Sequence, residues 1–310
     1  MTLYLIIKAP NDILFDYWIA LYYCLIRKYT DIKIITTIPL PDLPIPNVNF
    51  PSCEEILEFI QKYTKHDIVI FIDYKYIKEY FLDLPKENIY IYFNRDPYNK
   101  ILDFHTEFLK NNFQIIEYYE SNRNFLYNFI DKMYHSKVYI IPQLFNKRDT
   151  LYQLPFNHHP FYDVGMIFRY RERDIRNRRE TFWNQITDMS KLLITGFGLD
   201  RDLKIQNCKI IINIRSKTTD NDDIIENRES LRIDRIISKK ILVVSEAYKH
   251  QSRYNDGFII QVPLDKILTT CQGILDNFHD FRQEHFKHYK VEEYEKESQQ
   301  LIQPILDNIQ

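Results

Sequence analysis

Glycine is nearly missing from this chain: five residues in 310. There is no G-x-G-x-x-G turn, no Walker A lysine loop and no G-x-S-x-G elbow, so dinucleotide redox, P-loop and α/β-hydrolase chemistry lose their usual support. Cysteine is also sparse. Cys24, Cys53, Cys208 and Cys271 lie far apart, with no C-x-x-C pair and no Cys/His cluster. That excludes a zinc module and a disulfide scaffold and fits reduced thiols in a cytosol-like compartment. An excess of either charge is lacking too: 41 Lys and Arg stand against 43 Asp and Glu. A general nucleic-acid coating role is not expected from that balance. Long apolar runs are absent. The stretch 13–26 contains Asp16 and is too short to span a bilayer, and the apolar start is only strand-length, with no basic n-region. A soluble, cytoplasmic protein is expected, in viral or host cytoplasm if the origin is viral.

What is present is ordinary for a globular protein: 45% hydrophobic and 27% charged residues. The 24 Tyr and 21 Phe, with abundant Ile, Asn and Lys, read as AT-rich coding. The length suggests about two domains. In the first half, apolar runs at 3–7, 33–37, 67–72, 89–93, 113–118 and 138–141 have strand length. Between them lie helix-period segments. One contains Leu14, Trp18, Leu21, Tyr22 and Leu25; another, at 53–64, carries Ile56, Ile60 and Tyr63 on one face; others lie at 99–110 and after Ser121, with Phe125, Phe129 and Met133. The five prolines in 38–51 mark a loop. Near-continuous apolar strands separated by amphipathic helices predict a parallel sheet covered on both faces.

Pro142, Pro155, Pro160 and the polar run at 146–149 interrupt this pattern, and the alternation then restarts. Strands are expected at 163–168, 192–195, 209–214, 241–245 and 258–261, and helices at 176–189, 226–238 and from Pro263 to 277. The predicted fold is α/β: two Rossmann-like, doubly wound domains facing a cleft. The expected boundaries are 1–150 for the first domain, 151–161 for a linker and 162–280 for the second domain. Residues 281–310 are expected to form a helical segment that packs back on the first domain.

The most informative stretch runs from Lys209 to Glu246. It reads strand, polar loop, helix, strand. Glu229 and Arg232 are three apart, so they share a helix face near its N-terminus, where anions are favoured. The bland alternative is an ion pair on a solvated helix. The order Lys209-Ile-Ile-Ile-Asn213-Ile, then Glu229-Ser-Leu-Arg232-Ile, then Val243-Val-Ser245-Glu246 resembles the carboxyl-terminal domain of GT-B glycosyltransferases, and within them the CgeB-like, glycan-modifying group. Asp163-Val-Gly165-Met-Ile followed by Asn177-Arg178-Arg179 resembles the opening of the same domain, and Gly196 and Gly198 fall where its next strand ends. The resemblance covers about residues 160–275. Arg169 stands where the family has a second glycine, and Arg215 where it often has histidine.

The resemblance implies transfer of a sugar from a nucleotide-sugar donor to an acceptor hydroxyl or amine, without metal and with no cofactor beyond the donor. Glu229 and Glu246 would bind ribose or sugar hydroxyls. Arg232 would pair with Glu229 or a phosphate. Ser245, Asn213 and Arg215 would line the same rim. Six arginines in residues 169–179 suit a diphosphate, with Arg169 and Arg178 as the candidates; a solvated, ion-paired helix face is the alternative. In the loop after the first strand, Asp12 is the candidate base toward an acceptor; Asn11 or Asp12 as a helix cap is the simpler reading. The implied partners are a nucleotide-sugar and a glycan, protein or other hydroxyl-bearing acceptor, with no nucleic acid and no integral membrane segment. Asn94-Arg95-Asp96 follows another strand end, and Asp96-Pro97 is equally a turn signal. His105, within a helix, and His158-His159 fit packing or solvation better than catalysis. Asp220-Asn221-Asp222 matches a metal-binding D-x-D in the wrong context. A catalytically inactive nucleotide- or glycan-binding protein, and a structural or assembly protein with the same fold, remain the alternatives.

Overall fold

The computed structural model describes residues 1–7, 15–37, 47–72, 77–94, 102–117, 120–141, 144, 145, 147–168, 178–196, 198–214, 230–247 and 253–308. Side chains are described at all of these except 15–17, 78, 79, 102–104, 120–122, 150 and 230–232. The chain divides into two compact units, Met1–Leu144 with Ser298–Gln310, and Phe145–Glu297.

The first unit is built on seven strands: β1 (Leu3–Ile7), β2 (Ile32–Thr36), β3 (Asn47–Asn49), β4 (Ile68–Ile72), β5 (Ile89–Asn94), β6 (Phe113–Glu117) and β7 (Val138–Ile140). Their order is β3-β2-β1-β4-β5-β6-β7. Every neighbouring pair is parallel. All five residues of β1 and of β4 are buried, which is why their sequences read as unbroken apolar runs. Aromatic rings fill one face of this sheet. Phe108 stacks on Phe113 with centroids 4.4 Å apart, and Tyr90 stacks on Phe113 at 4.9 Å.

Two helix faces differ from the sequence reading. In Cys53–Tyr63, capped by Ser52 accepting from the Glu55 amide at 3.2 Å, the buried face is Ile56, Leu57 and Ile60. Tyr63 is 62% exposed, on the surface beside Phe59 and Lys62. Farther along, the helix is only Glu120–Leu126. Leu126 and Ile130 turn inward, while Phe125, Phe129 and Met133 stay exposed. In both cases two apolar stripes competed and the wider aromatic one lost, because the aromatic bodies can lie along the surface. The proline-rich loop also contains β3. Its Asn-Val-Asn sequence carries no strand signal and forms a short, exposed sheet edge.

The second unit has five parallel strands: β8 (Tyr162–Ile167), β9 (Lys191–Ile194), β10 (Cys208–Asn213), β11 (Leu242–Glu246) and β12 (Ile260–Val262). Their order is β12-β11-β10-β8-β9. Val164, Met166, Ile210, Ile212, Val243 and Val244 form its core with Ile233, Ile236 and Ile237 of the helix Ser230–Ser238. The expected α/β class, with two parallel sheets, is the class observed.

The segment before β8 is folded into this unit. Leu151, in the short helix Thr150–Gln153, is fully buried in its core. The last helix, Val291–Asn308, continues through Pro304. Its final turns fall in the first unit, where Asn308 Nδ2 donates to the Tyr139 hydroxyl at 2.8 Å and the Leu306 carbonyl accepts from Lys28. Among the described residues, no helix is long and apolar enough to cross a membrane.

Candidate functional site at the carboxyl edge of the second sheet

The strand order decides where a site belongs. β8 starts the second unit, β9 lies on one side of it and β10 on the other. The chain therefore reverses direction across the sheet between β8 and β10. In open parallel sheets ligands bind outside the carboxyl ends of the strands at such a reversal.

Polar side chains end the apolar runs at this edge. Asn213 closes β10, and Ser245 and Glu246 close β11, with Asn213 opposite Ser245 in the register. Asn213 is 8% exposed, Ser245 fully buried and Glu246 5% exposed. Asn213 Nδ2 donates to Ser245 Oγ at 3.0 Å, and that hydroxyl donates to the Glu246 carbonyl at 3.0 Å. Asn213 Oδ1 is buried with no hydrogen-bond partner. A buried acceptor in that state favours a donor group from a ligand.

The helix Arg178–Gln185 adds the charge. Both guanidinium nitrogens of Arg178 donate to the Glu246 carboxylate, Nη1 to Oε2 and Nη2 to Oε1, each at 2.6 Å. The next residue, Arg179, is 8% exposed and donates from Nε to the Ile214 carbonyl at 2.5 Å. The two arginines thus fasten one helix N-terminus over the ends of β10 and β11. Arg178 is 21% exposed at its side chain and Glu246 6%. A fork–carboxylate pair this far from water is strong and directional. Its chemistry is divided: the guanidinium matches phosphate oxygens, and the carboxylate accepts from hydroxyls.

Of the sequence-predicted residues, Asn213, Ser245, Glu246 and Arg178 converge here. Arg232 lies in the helix Ser230–Ser238, with its side chain not described. Asp12, Arg169, Arg215 and Glu229 lie outside the described residues, as do Arg95 and Asp96 and the D-x-D stretch. Among the described residues, no three His, Cys, Asp or Glu side chains are grouped to hold a metal ion. His105 is fully buried against the Tyr92 ring.

Sequence reasoning missed several residues. Arg179 was one of six similar arginines with nothing to single it out. Glu117 ends β6 fully buried and accepts from Asn94 Nδ2 at 2.9 Å, so the first sheet has a polar pair at its own carboxyl edge. An acid closing an apolar run was the available signal. Arg235 pairs with both Asp149 and Asp202, with contacts of 2.8–3.1 Å. Only the helical position of Arg235 amid isoleucines hinted at its burial.

Gly165 and Asp163 come from the same family-like opening. They lie below the site. A Cβ at Gly165 would meet Cys208 Sγ at 2.5 Å and the Ile194 and Ile211 methyls at 2.9 Å. Asp163 accepts from Lys209 Nζ at 2.7 Å and from the Ser190 amide and hydroxyl at 3.0 and 2.8 Å, which ties together the starts of β8, β9 and β10. Gly196 and Gly198, after β9, have φ of +89° and +64°, in the region that favours glycine.

No family model matches the sequence. One curated relative, the uncharacterized protein R358 of Acanthamoeba polyphaga mimivirus, is 32% identical over 118 residues, which are 36% of this chain and 40% of that protein. The match therefore spans about two fifths of the relative. Solved structures extend over nearly the whole chain. An α-glucosyltransferase in complex with UDP and a 13-mer DNA has a TM-score of 0.58 at 8% identity, covering 98% of this chain and 95% of that one. HepE of Anabaena, in complex with UDP and glucose, has a TM-score of 0.58 at 9% identity, with coverage of 96% and 98%. WaaG, a glycosyltransferase involved in lipopolysaccharide biosynthesis, has a TM-score of 0.56 at 8% identity, with coverage of 99% and 99%. This is the GT-B fold. The two Rossmann-like units expected from the sequence are those of that fold, and at such identities the likeness speaks for the fold alone. In this GT-B chain the second unit carries the polar carboxyl edge described above.

Proposed function

We propose that the protein is a glycosyltransferase that moves a sugar from a nucleotide-sugar donor to an acceptor hydroxyl or amine. The observation that carries the reading is the Arg178–Glu246 fork, beside the unpartnered Asn213 Oδ1, at the carboxyl edge of the second sheet. The GT-B fold and solved neighbours with UDP bound support it. The ordered Asn213, Glu229, Arg232, Ser245 and Glu246 set is the support for kinship with the CgeB-like group.

In this reading the departing diphosphate is stabilised by arginines: Arg178, with Arg169, Arg215 and Arg232 in the adjoining segments. Fixed positive charge aimed at a developing anion lowers the barrier without a metal. Glu246 and Glu229 accept hydrogen bonds from ribose or sugar hydroxyls. Asn213 Oδ1 and Ser245 complete the rim. Donor binding would thus open the Arg178–Glu246 pair and exchange each partner for a donor group. Asp12 is assigned as the base toward the acceptor. The protein is proposed to act in the cytoplasm.

A thermal-shift screen with UDP, GDP, CDP and their sugar conjugates tests the proposal. A ligand at about 100 times its Kd stabilises the native state by about 2.7 kcal/mol. We expect one nucleotide to raise the unfolding midpoint of the wild type and to lose most of that gain in Glu246→Gln and Arg178→Gln. No response to any nucleotide at millimolar concentration would defeat the reading and favour a structural role for the fold. Binding without sugar transfer to any glycan, peptide or DNA acceptor would favour the inactive binding protein.

A further inference from the structure

The opposite, amino edge of the second sheet carries a second feature. A groove of about 270 Å³, open to solvent, is lined there by Phe156, Gln206, Lys209, Lys239, Phe278 and Arg282 among others. Its floor is the start of β10 and the residue before β11. It therefore lies across the sheet from the Arg178–Glu246 pair.

The groove is rich in donors and poor in counter-charge. Arg282 lies over the Phe156 ring, 3.8 Å from its centroid, and donates from Nε to the Lys240 carbonyl at 2.7 Å. No carboxylate among the described residues pairs with it. Burial pushes its guanidinium down to about 10, so it is still charged at neutral pH but has little favourable electrostatic company. Lys239 Nζ donates to the carbonyls of Tyr152, at 2.9 Å, and Leu154. Burial also lowers its pKa, with Asp149 pulling the other way. Lys209 alone has an anionic partner, Asp163 at 2.7 Å. Gln206 is nine-tenths buried, and its Nε2 has no hydrogen-bond partner.

Buried donors in folded proteins are seldom left unmatched, and cations this far from water are seldom left with carbonyls alone. An arginine fork held flat on an aromatic ring presents its remaining N–H groups as a pair suited to two oxygens of one anion. The volume falls below the roughly 300–1,000 Å³ of sites for drug-sized ligands, which points to a small occupant.

We infer that this groove is a binding site for a small oxyanion, a phosphate or a carboxylate, held by the Arg282 fork and Gln206 Nε2 beside Lys239. The site is distinct from the proposed donor site and does not depend on it.

The test uses the full chain. Its unfolding midpoint is measured in sodium phosphate, sodium succinate and sodium chloride at matched ionic strength, for the wild type, Arg282→Gln and Gln206→Leu. Phosphate or succinate should raise the wild-type midpoint by roughly 2–4 °C over chloride. Both variants should lose at least half of that gain while keeping any response to UDP. The more effective anion identifies the class of ligand. General salting-out stabilisation acts on all three proteins alike. An equal gain in wild type and both variants, or none over chloride in the wild type, would overturn the inference. If Arg282→Gln fails to fold, Gln206→Leu decides by the same criterion.

Discussion

Gly165 and Asp163 show why a motif-like residue need not be a ligand. Gly165 sits where β8 is squeezed between Cys208, Ile194 and Ile211, and a methyl group has no room. Gly165→Ala should therefore cost about 1–3 kcal/mol through overpacking, measured by urea denaturation, with no direct effect on nucleotide affinity. At Asp163, burial raises the carboxyl pKa, but hydrogen bonds from Lys209 and Ser190 outweigh it and the value is lowered overall. Because the folded state holds this group ionised more firmly than the unfolded chain does, its contribution to stability is full above the ordinary value of 3.8. It fades as pH falls through the lower folded value. Asp163→Asn should cut stability at neutral pH and narrow the gap to wild type on acidification below that range. A gap that widens toward acid would contradict this assignment. Cys208 and Cys271 are fixed by burial as well: it pushes both thiols up to about 12, which fits packing residues rather than nucleophiles. The sequence could mark these residues as unusual. It could not say whether the reason was a neighbour or a ligand, because the neighbours come from strands tens of residues away.

Between elements, the second unit relies on a buried ionic junction. Arg235, 3% exposed at its side chain, joins Asp149 at the start of the helix Thr150–Gln153 to Asp202 in the helix Gly198–Gln206. Asp202 is fully buried. Removing the cation would leave a buried carboxylate without its main partner, so Arg235→Ala should lose about 3–5 kcal/mol. Replacing the partners together by apolar residues of similar size should cost much less. Equilibrium denaturation of the single and multiple variants checks this, and a loss under about 1 kcal/mol for Arg235→Ala would show that the junction is dispensable. Strands were legible as elements because burial on both faces makes their apolar runs continuous, as in β1, β4 and β10. Helix faces were less legible. In Cys53–Tyr63 and Glu120–Leu126 the sequence offered two apolar stripes, and tertiary contact chose between them. The edge strand β3 left no trace because an exposed strand needs no apolar residue.

For the whole molecule, parallel order and the reversal between β8 and β10 make one edge of the second sheet the natural ligand side. The alternation of apolar runs and helical segments disclosed two such sheets, but their strand order is set by which crossovers pack, which no local pattern records. The polar ends of β10 and β11 could be read from the sequence as Asn213 and Ser245-Glu246. Their junction with Arg178 could not, since 68 residues separate the two halves of that pair. The central claim is that a nucleotide-sugar occupies this edge. Hydrogen exchange of the full chain, with and without the nucleotide that gives the strongest thermal shift, tests it most directly. Protection is expected to concentrate in 169–179, 213–232 and 245–247, with the amino edge around Gln206 and Lys239 little changed. Protection confined to other segments, or none at saturating nucleotide, would contradict the assignment of the donor site.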